Sequence, residues 1–201
     1  MTDKLARAKL ARAAAALNAR SGSALPPLVL VTDDVRLQDP LASAAALPRG
    51  SMVILRAQND VQRAKLAVEL RKTTRGRKIK LLIANDGGLA ARIGADGVHL
   101  SQANARAASH WRALHPRWII TAAAHSLAAC HVAAADAFLV APIFPTESHP
   151  DGRSLGAIGL RIIANWSRYP VYALGGIDQT RTAQLNGAKL VGLAAIGALA
   201  V

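Results

Sequence analysis

Eight short apolar runs, each closed by a polar cluster, recur along the chain at near-regular intervals. They are LVLVTD from Leu28, MVILR from Met52, KLLIAND from Lys80, GVHLSQ from Gly97, WIITAAAHS from Trp118, AFLVAPIFPT from Ala137, VYALGGI from Val171 and LVGLAA from Leu190. Stretches rich in Ala and Leu, helical in character, separate them. Runs that are continuously apolar rather than alternating predict parallel strands covered by helices on both faces. Eight such strand–helix units predict an α/β chain that closes as a (β/α)₈ TIM barrel. Its chemistry then belongs at the C-terminal strand ends, in the polar tails of the eight runs.

The punctuation agrees with this reading. A leading helix over 1–20 ends at Ser21-Gly22-Ser23, and Pro26-Pro27 delivers the chain into the first strand. Barrel units then fill 28–196, so that 1–201 reads as a single domain. Leu41–Leu47 predicts a short helix, and Gln58, Asn59 and Asp60 open a long basic helix reaching Thr74. Only six residues follow Ala195, too few for the eighth helix of an ideal barrel. The eighth strand must then be covered by the N-terminal helix, by a second subunit, or only in part. Because exposed contiguous apolar surface commonly marks an interface, the expectation is a homo-oligomer.

Composition narrows the function classes. Of the 201 residues 52% are hydrophobic but only 3% aromatic, so the core must rest on Ala, Leu, Val and Ile. The net charge is +13, with eight basic residues between Arg63 and Lys80 opposed only by Glu69. That stretch predicts a solvated basic helix face or a surface attracting phosphorylated ligands. Nucleic-acid binding is disfavoured, since no recognition motif accompanies the charge and few rings are available for stacking. Cys130 is the sole cysteine, which excludes an intrachain disulfide and a cysteine zinc site and fits a reducing, cytoplasmic compartment. Charges interrupt the N-terminal helix too often for a signal-peptide core, and no run has the length of a membrane span.

Gly175-Gly176, directly after the seventh run, is the strongest local chemical signal. Glycine permits close approach of an anion to backbone N–H groups, and barrels commonly bind phosphate on the loops after strands seven and eight. Ala194 and Ala195, at the end of the eighth run, complete this expected phosphate site, because backbone rather than side chains does the holding.

Together, Asn85-Asp86, GADGVHLSQ from Gly94, AHS from Ala124, APIFPTESHP from Ala141, ALGGI from Ala173 and NGAKLVGLAAI from Asn186 resemble the thiamine phosphate synthase/TenI family. The likeness runs from Leu28 to Ile196, in order and spacing. It implies a barrel binding a thiazole phosphate, with the phosphate on the glycine-rich amides. Two activities share this fold. The synthase branch joins hydroxymethylpyrimidine pyrophosphate to thiazole phosphate with Mg²⁺. Its Gln-x-Arg-x-Lys pattern falls here on Ile54, Arg56 and Gln58, keeping the arginine and losing the lysine. Asn85 and Asp86 match its strand-three pair, which makes Asp86 the implied Mg²⁺ ligand. The second metal carboxylate falls on Asn104, the pyrophosphate serine on Ala123, and the threonine–lysine pair on Ser148-His149.

Losing one oxyanion donor typically slows a reaction by ~10²–10³-fold, and this chain has lost several. The TenI branch needs none of them and no cofactor. There the histidine after strand five corresponds to His125, the implied acid/base of a thiazole tautomerase; an imidazole can both take and give a proton. Arg56, Asn85, Thr146, Ser148 and His149 are then the expected substrate contacts. The site resembles the tautomerase branch more closely, with a divergent Mg²⁺-dependent synthase and a non-catalytic thiazole- or thiamine-phosphate-binding protein as alternatives. His99 is expected to be structural, buried at a strand end with a satisfied hydrogen bond.

Overall fold

The computed structural model describes residues 2–57, 60–146 and 154–201. In it the eight apolar runs are eight parallel strands: β1 (Leu28–Val31), β2 (Met52–Leu55), β3 (Lys80–Ala84), β4 (Gly97–Leu100), β5 (Ile119–Ala124), β6 (Ala137–Val140), β7 (Val171–Leu174) and β8 (Gly192–Ala195). They pair in chain order, and β8 returns to β1 through Leu28↔Leu193, Val29↔Ala194 and Leu30↔Ala195, closing the barrel. The strands have two buried faces, which is why their sequences show no polar alternation. Val29, Val31, Met52, Ile54, Leu82, Leu139 and Tyr172 fill the interior. Their neighbours Leu30, Val53, Leu55, Leu81, Ile83 and Val98 pack outward under the helices. Tyr172 is the aromatic of this otherwise aliphatic interior: it is fully buried, and its hydroxyl donates to the Pro26 carbonyl at 2.6 Å. Burial pushes its phenol well above the ordinary range.

Helices are α1 (Thr2–Ser21), α2 (Pro40–Ala45), α3 (Asp60–Gly76), α4 (Gly87–Ile93), α5 (Ala108–Leu114) and α6 (Gly156–Trp166). Local signals explain their ends. Asp39 caps α2 by accepting from the Ala42 N–H at 2.8 Å, with Pro40 at the first helical position. Asp86 caps α4 through the Leu89 N–H, and left-handed Gly94 ends it. The predicted short and long helices are present, with α3 running to Gly76 rather than Thr74. After β5 and β7 the helical layer thins to single 3₁₀ turns at Ala128–His131 and Thr182–Leu185, and after β8 to Gly197–Leu199.

The missing eighth helix is replaced by α1. Leu10, Ala14 and Leu17 form its buried stripe, spaced four and three apart, and the helix packs on β8 and β1. Burying the two leucines alone stabilises this seat by about 3–6 kcal/mol. Polar contacts set its register: Arg7 Nη1 donates to the Ala200 carbonyl at 2.6 Å, and Asn18 Nδ2 donates to the Leu25 and Val191 carbonyls at 2.9 Å each. The apolar surface of β8 that suggested self-association is therefore covered within the chain. None of the described helices is long and apolar enough to cross a membrane.

The basic stretch along α3 is partly structural. Arg63 pairs with Asp86 at 3.1 Å, Arg71 and Lys80 share Asp96 at 2.7 and 3.0 Å, and Arg77 donates to the Leu47 carbonyl. The Arg63 and Arg71 pairs tie α3 to carboxylates that flank β3.

Candidate active site

The C-terminal strand ends form one polar rim, linked strand to strand. Asn85, in a left-handed conformation (φ 54°), follows β3. Its Oδ1 accepts from the Ser101 N–H at 2.8 Å and from Asn104 Nδ2 at 3.3 Å, joining the β3 and β4 ends. Gln102 Oε1 accepts the His125 N–H at 2.9 Å, joining β4 to β5. The exposed imidazole of His125 lies with Nδ1 2.6 Å from the Ala141 carbonyl, joining β5 to β6. A carbonyl can only accept, so Nδ1 carries the hydrogen and a neutral ring presents Nε2 as its acceptor. Phe144 N–H, finally, donates to the Gly175 carbonyl, joining β6 to β7.

Over β7 and β8 the rim opens into a cavity of about 720 Å³, whose walls include Gly175, Gly176, Thr146, Ala195, Gly197 and Arg36. Gly175 and Gly176 have φ of 98° and 63°. A Cβ on Gly175 would lie 3.0 Å from Pro142 Cα, and one on Gly176 would lie 2.7 Å from the Pro145 carbonyl. Packing against the segment after β6 thus requires both glycines, independently of any ligand. Gly176→Ala is expected to lose about 2–4 kcal/mol, from left-handed strain plus overpacking, measured as a shift in denaturant midpoint. Asp178 hydrogen-bonds Thr180 and the Arg181 N–H beyond this turn. Burial raises its carboxyl, but the Thr180 and Arg181 bonds outweigh that and hold it below the ordinary value.

The expected residues divide between places. Gly175, Gly176, Ala195 and Thr146 share the cavity, whereas Ala194 is fully buried inside the barrel. His125, Arg56, Asn85 and Asp86 stand on the other strand ends of the same mouth. Gln58, Ser148 and His149 lie outside the described residues. His99 makes the expected hydrogen bond, with Nδ1 2.9 Å from Thr121 Oγ1, but the residue is part-buried rather than buried. Burial, with Arg56 adding positive potential, pushes its pKa down from 6.5 to about 4. The unfolded chain therefore binds this proton at pH values where the folded protein does not. Stability should fall by up to about 1.4 kcal/mol per unit as pH drops from 6.5 towards 4. His99→Gln should flatten that slope in urea titrations at each pH.

The residues implied as Mg²⁺ ligands do not fit the ion. Asp86 Oδ1 is spent on capping α4, and its Oδ2 faces the Arg63 guanidinium at 3.1 Å. Asn104 offers its amide to Asn85 rather than a second charge. Three arginines escaped the sequence reading: Arg7, Arg36 and Arg181 all line the cavity. Arg7 and Arg36 were hidden because α1 and the segment after β1 meet β8 only through closure, whereas Arg181 follows β7 and reaches back locally to the Gly176 carbonyl.

Comparison with known proteins extends the geometry. The family profile described as thiamine monophosphate synthase matches residues 28–199. A relative from Aquifex aeolicus is 34% identical over 174 residues, covering 82% of this chain and 93% of its own. The thiamine-phosphate synthase of Herpetosiphon aurantiacus is 34% identical over 184 residues, covering 85% and 86%. Among solved structures, the thiamine phosphate pyrophosphorylase of Pyrococcus furiosus superposes with a TM-score of 0.72 at 27% identity, over 84% of each chain.

Proposed function

The chain belongs to the thiamine monophosphate synthase family of thiamine biosynthesis, and from that membership we propose that it binds a thiazole phosphate and isomerises it, as a thiazole tautomerase does. The observation that carries this reading is His125. Its Nδ1 is committed to the Ala141 carbonyl, so Nε2 faces the work of accepting a proton. In the proposed reaction Nε2 takes a proton from one atom of the thiazole carboxylate ring and the imidazolium returns it to another. Atoms and electrons balance with no leaving group and no external base. The step asks little else of the protein than orientation, for which the glycine-rich cavity wall would hold the phosphate and Thr146 would meet the ligand beside it. Substitution of the pyrophosphate-handling positions and pairing of Asp86 with Arg63 favour this over chemistry that expels pyrophosphate.

The relatives, a thiamine-phosphate synthase and a thiamine phosphate pyrophosphorylase, favour a second reading, a divergent thiamine-phosphate synthase retaining Arg56, Asn85 and Asp86. One experiment separates them. Purified protein is given the thiazole carboxylate phosphate alone, followed by NMR in deuterated water, and then both synthase substrates with Mg²⁺, followed by mass spectrometry. Isomerisation with solvent deuterium uptake supports the tautomerase. Thiamine phosphate formed at ordinary enzymatic rates overturns it, and tight binding with no turnover in either assay assigns a binding protein.

A further inference from the structure

The anion end of the cavity has a second side. Besides the glycine backbone of the β7 turn, the wall includes Arg36, from the segment after β1. Arg36 is not loose. Asp33 Oδ1 accepts from the Val35 and Arg36 N–H groups at 3.2 and 3.0 Å, fixing the turn, while Oδ2 accepts from Arg36 Nη2 at 2.9 Å. The same Oδ2 also accepts from Arg56 Nη2, so one carboxylate holds the arginines that follow the neighbouring strands β1 and β2. The other arginines of the cavity are committed to backbone. Arg181 Nη1 donates to the Gly176 carbonyl, with its guanidinium 5.5 Å over the Phe144 ring, and Arg7 holds Ala200.

We infer that Arg36 is a phosphate-recognition residue and Asp33 its positioning residue, so that the anion is clamped between glycine backbone and a guanidinium. This deepens the proposed function, resting on its assignment of the phosphate to Gly175 and Gly176. Charge arithmetic carries the argument. A carboxylate beside an anion site repels the ligand unless it organises cations, and Asp33 organises two. With Arg36 and Arg56 each +1 and Asp33 −1, the trio keeps a net positive charge. A guanidinium has five N–H donors in a planar fork, enough to engage a carboxylate and a phosphate together. The Arg36 hydrogen bond, working against burial, also holds the Asp33 carboxyl well below the usual range, so the trio stays charged wherever a phosphate ligand is ionised.

The test is calorimetric titration with inorganic phosphate, thiazole phosphate and the unphosphorylated thiazole alcohol. Arg36→Ala is expected to weaken both phosphates by about 10–100-fold and leave the alcohol unchanged, with Arg36→Lys recovering part of the loss. Asp33→Asn gives the sharper readout. If charge alone mattered, removing a negative group would tighten phosphate binding; a positioning role weakens it several-fold. Thermal melts verify folding, and Arg36→Lys decides should the alanine variant not fold. Phosphate affinity unchanged in Arg36→Ala, tighter in Asp33→Asn, or absent from the wild type overturns the inference. Arg36-dependent binding of inorganic phosphate with no binding of thiazole phosphate sustains the clamp and defeats the thiazole reading instead.

Discussion

Replacing His125 by glutamine is expected to slow isomerisation of the thiazole phosphate by about 10²–10⁴-fold, the range a positioned general acid–base contributes. KM should stay near the wild-type value, because the phosphate contacts lie on the other side of the mouth and are made equally before and during proton transfer. Glutamine is chosen over alanine for a physical reason. Its amide N–H₂ can still donate to the Ala141 carbonyl that Nδ1 now meets at 2.6 Å, so the link between the β5 and β6 ends is retained. A purely structural histidine would therefore be replaced with a modest change in melting temperature and none in kcat. Turnover that survives the substitution would remove His125 from the mechanism, whichever ring atom the proton travels to.

The largest stability effect is expected at a glycine with no chemical role. A Cβ on Gly192 would stand 1.9 Å from the Pro27 carbonyl oxygen and 2.6 Å from its carbon. Those atoms are backbone and cannot rotate away. They are also held in place, since the Leu193 N–H donates to that same carbonyl at 2.9 Å where β8 meets β1. Gly192→Ala must push the two strands apart at the seam that closes the barrel. The expected loss exceeds about 4 kcal/mol, a size reserved for such mechanisms, and should appear as a collapse of the denaturant midpoint or as failure to accumulate folded protein. Gly76→Ala is the control. Nothing lies within 4 Å of its added Cβ, at the end of α3, and alanine there should be neutral or stabilise by up to about 1 kcal/mol. Equal behaviour of the two variants would show that the seam tolerates a methyl group.

The two predictions depend on different kinds of information. Gly192 sits inside a run, LVGLAA, whose strand character is plain from its neighbours, but nothing in those letters says that Pro27, 165 positions earlier, will lie against it. His125 was singled out by the family resemblance, which matches it to a histidine after the fifth strand. Which of its nitrogens is free for chemistry depended on the Ala141 carbonyl, supplied by the next strand. Asp86 shows the limit most clearly. From sequence it was the implied metal carboxylate, and the structure makes it the cap of α4 through the Leu89 N–H. The Arg63 guanidinium that turns it away from a cation comes from α3, on the far side of β3.

By itself, then, the sequence determined the eight strands, their parallel arrangement and the glycine turn after β7. All of these follow from periodicity or from contacts within a few residues, where backbone and side-chain preferences act directly. The tertiary structure alone decided that α1 takes the place of the eighth helix, that Tyr172 is anchored to Pro26, and that Asp33 gathers Arg36 and Arg56 at the mouth. Each of those joins segments that meet only when the barrel closes, or at a strand end whose neighbour is set by closure. A linear pattern records which residues can be buried; the geometry of closure chooses which charges and carbonyls they are buried against.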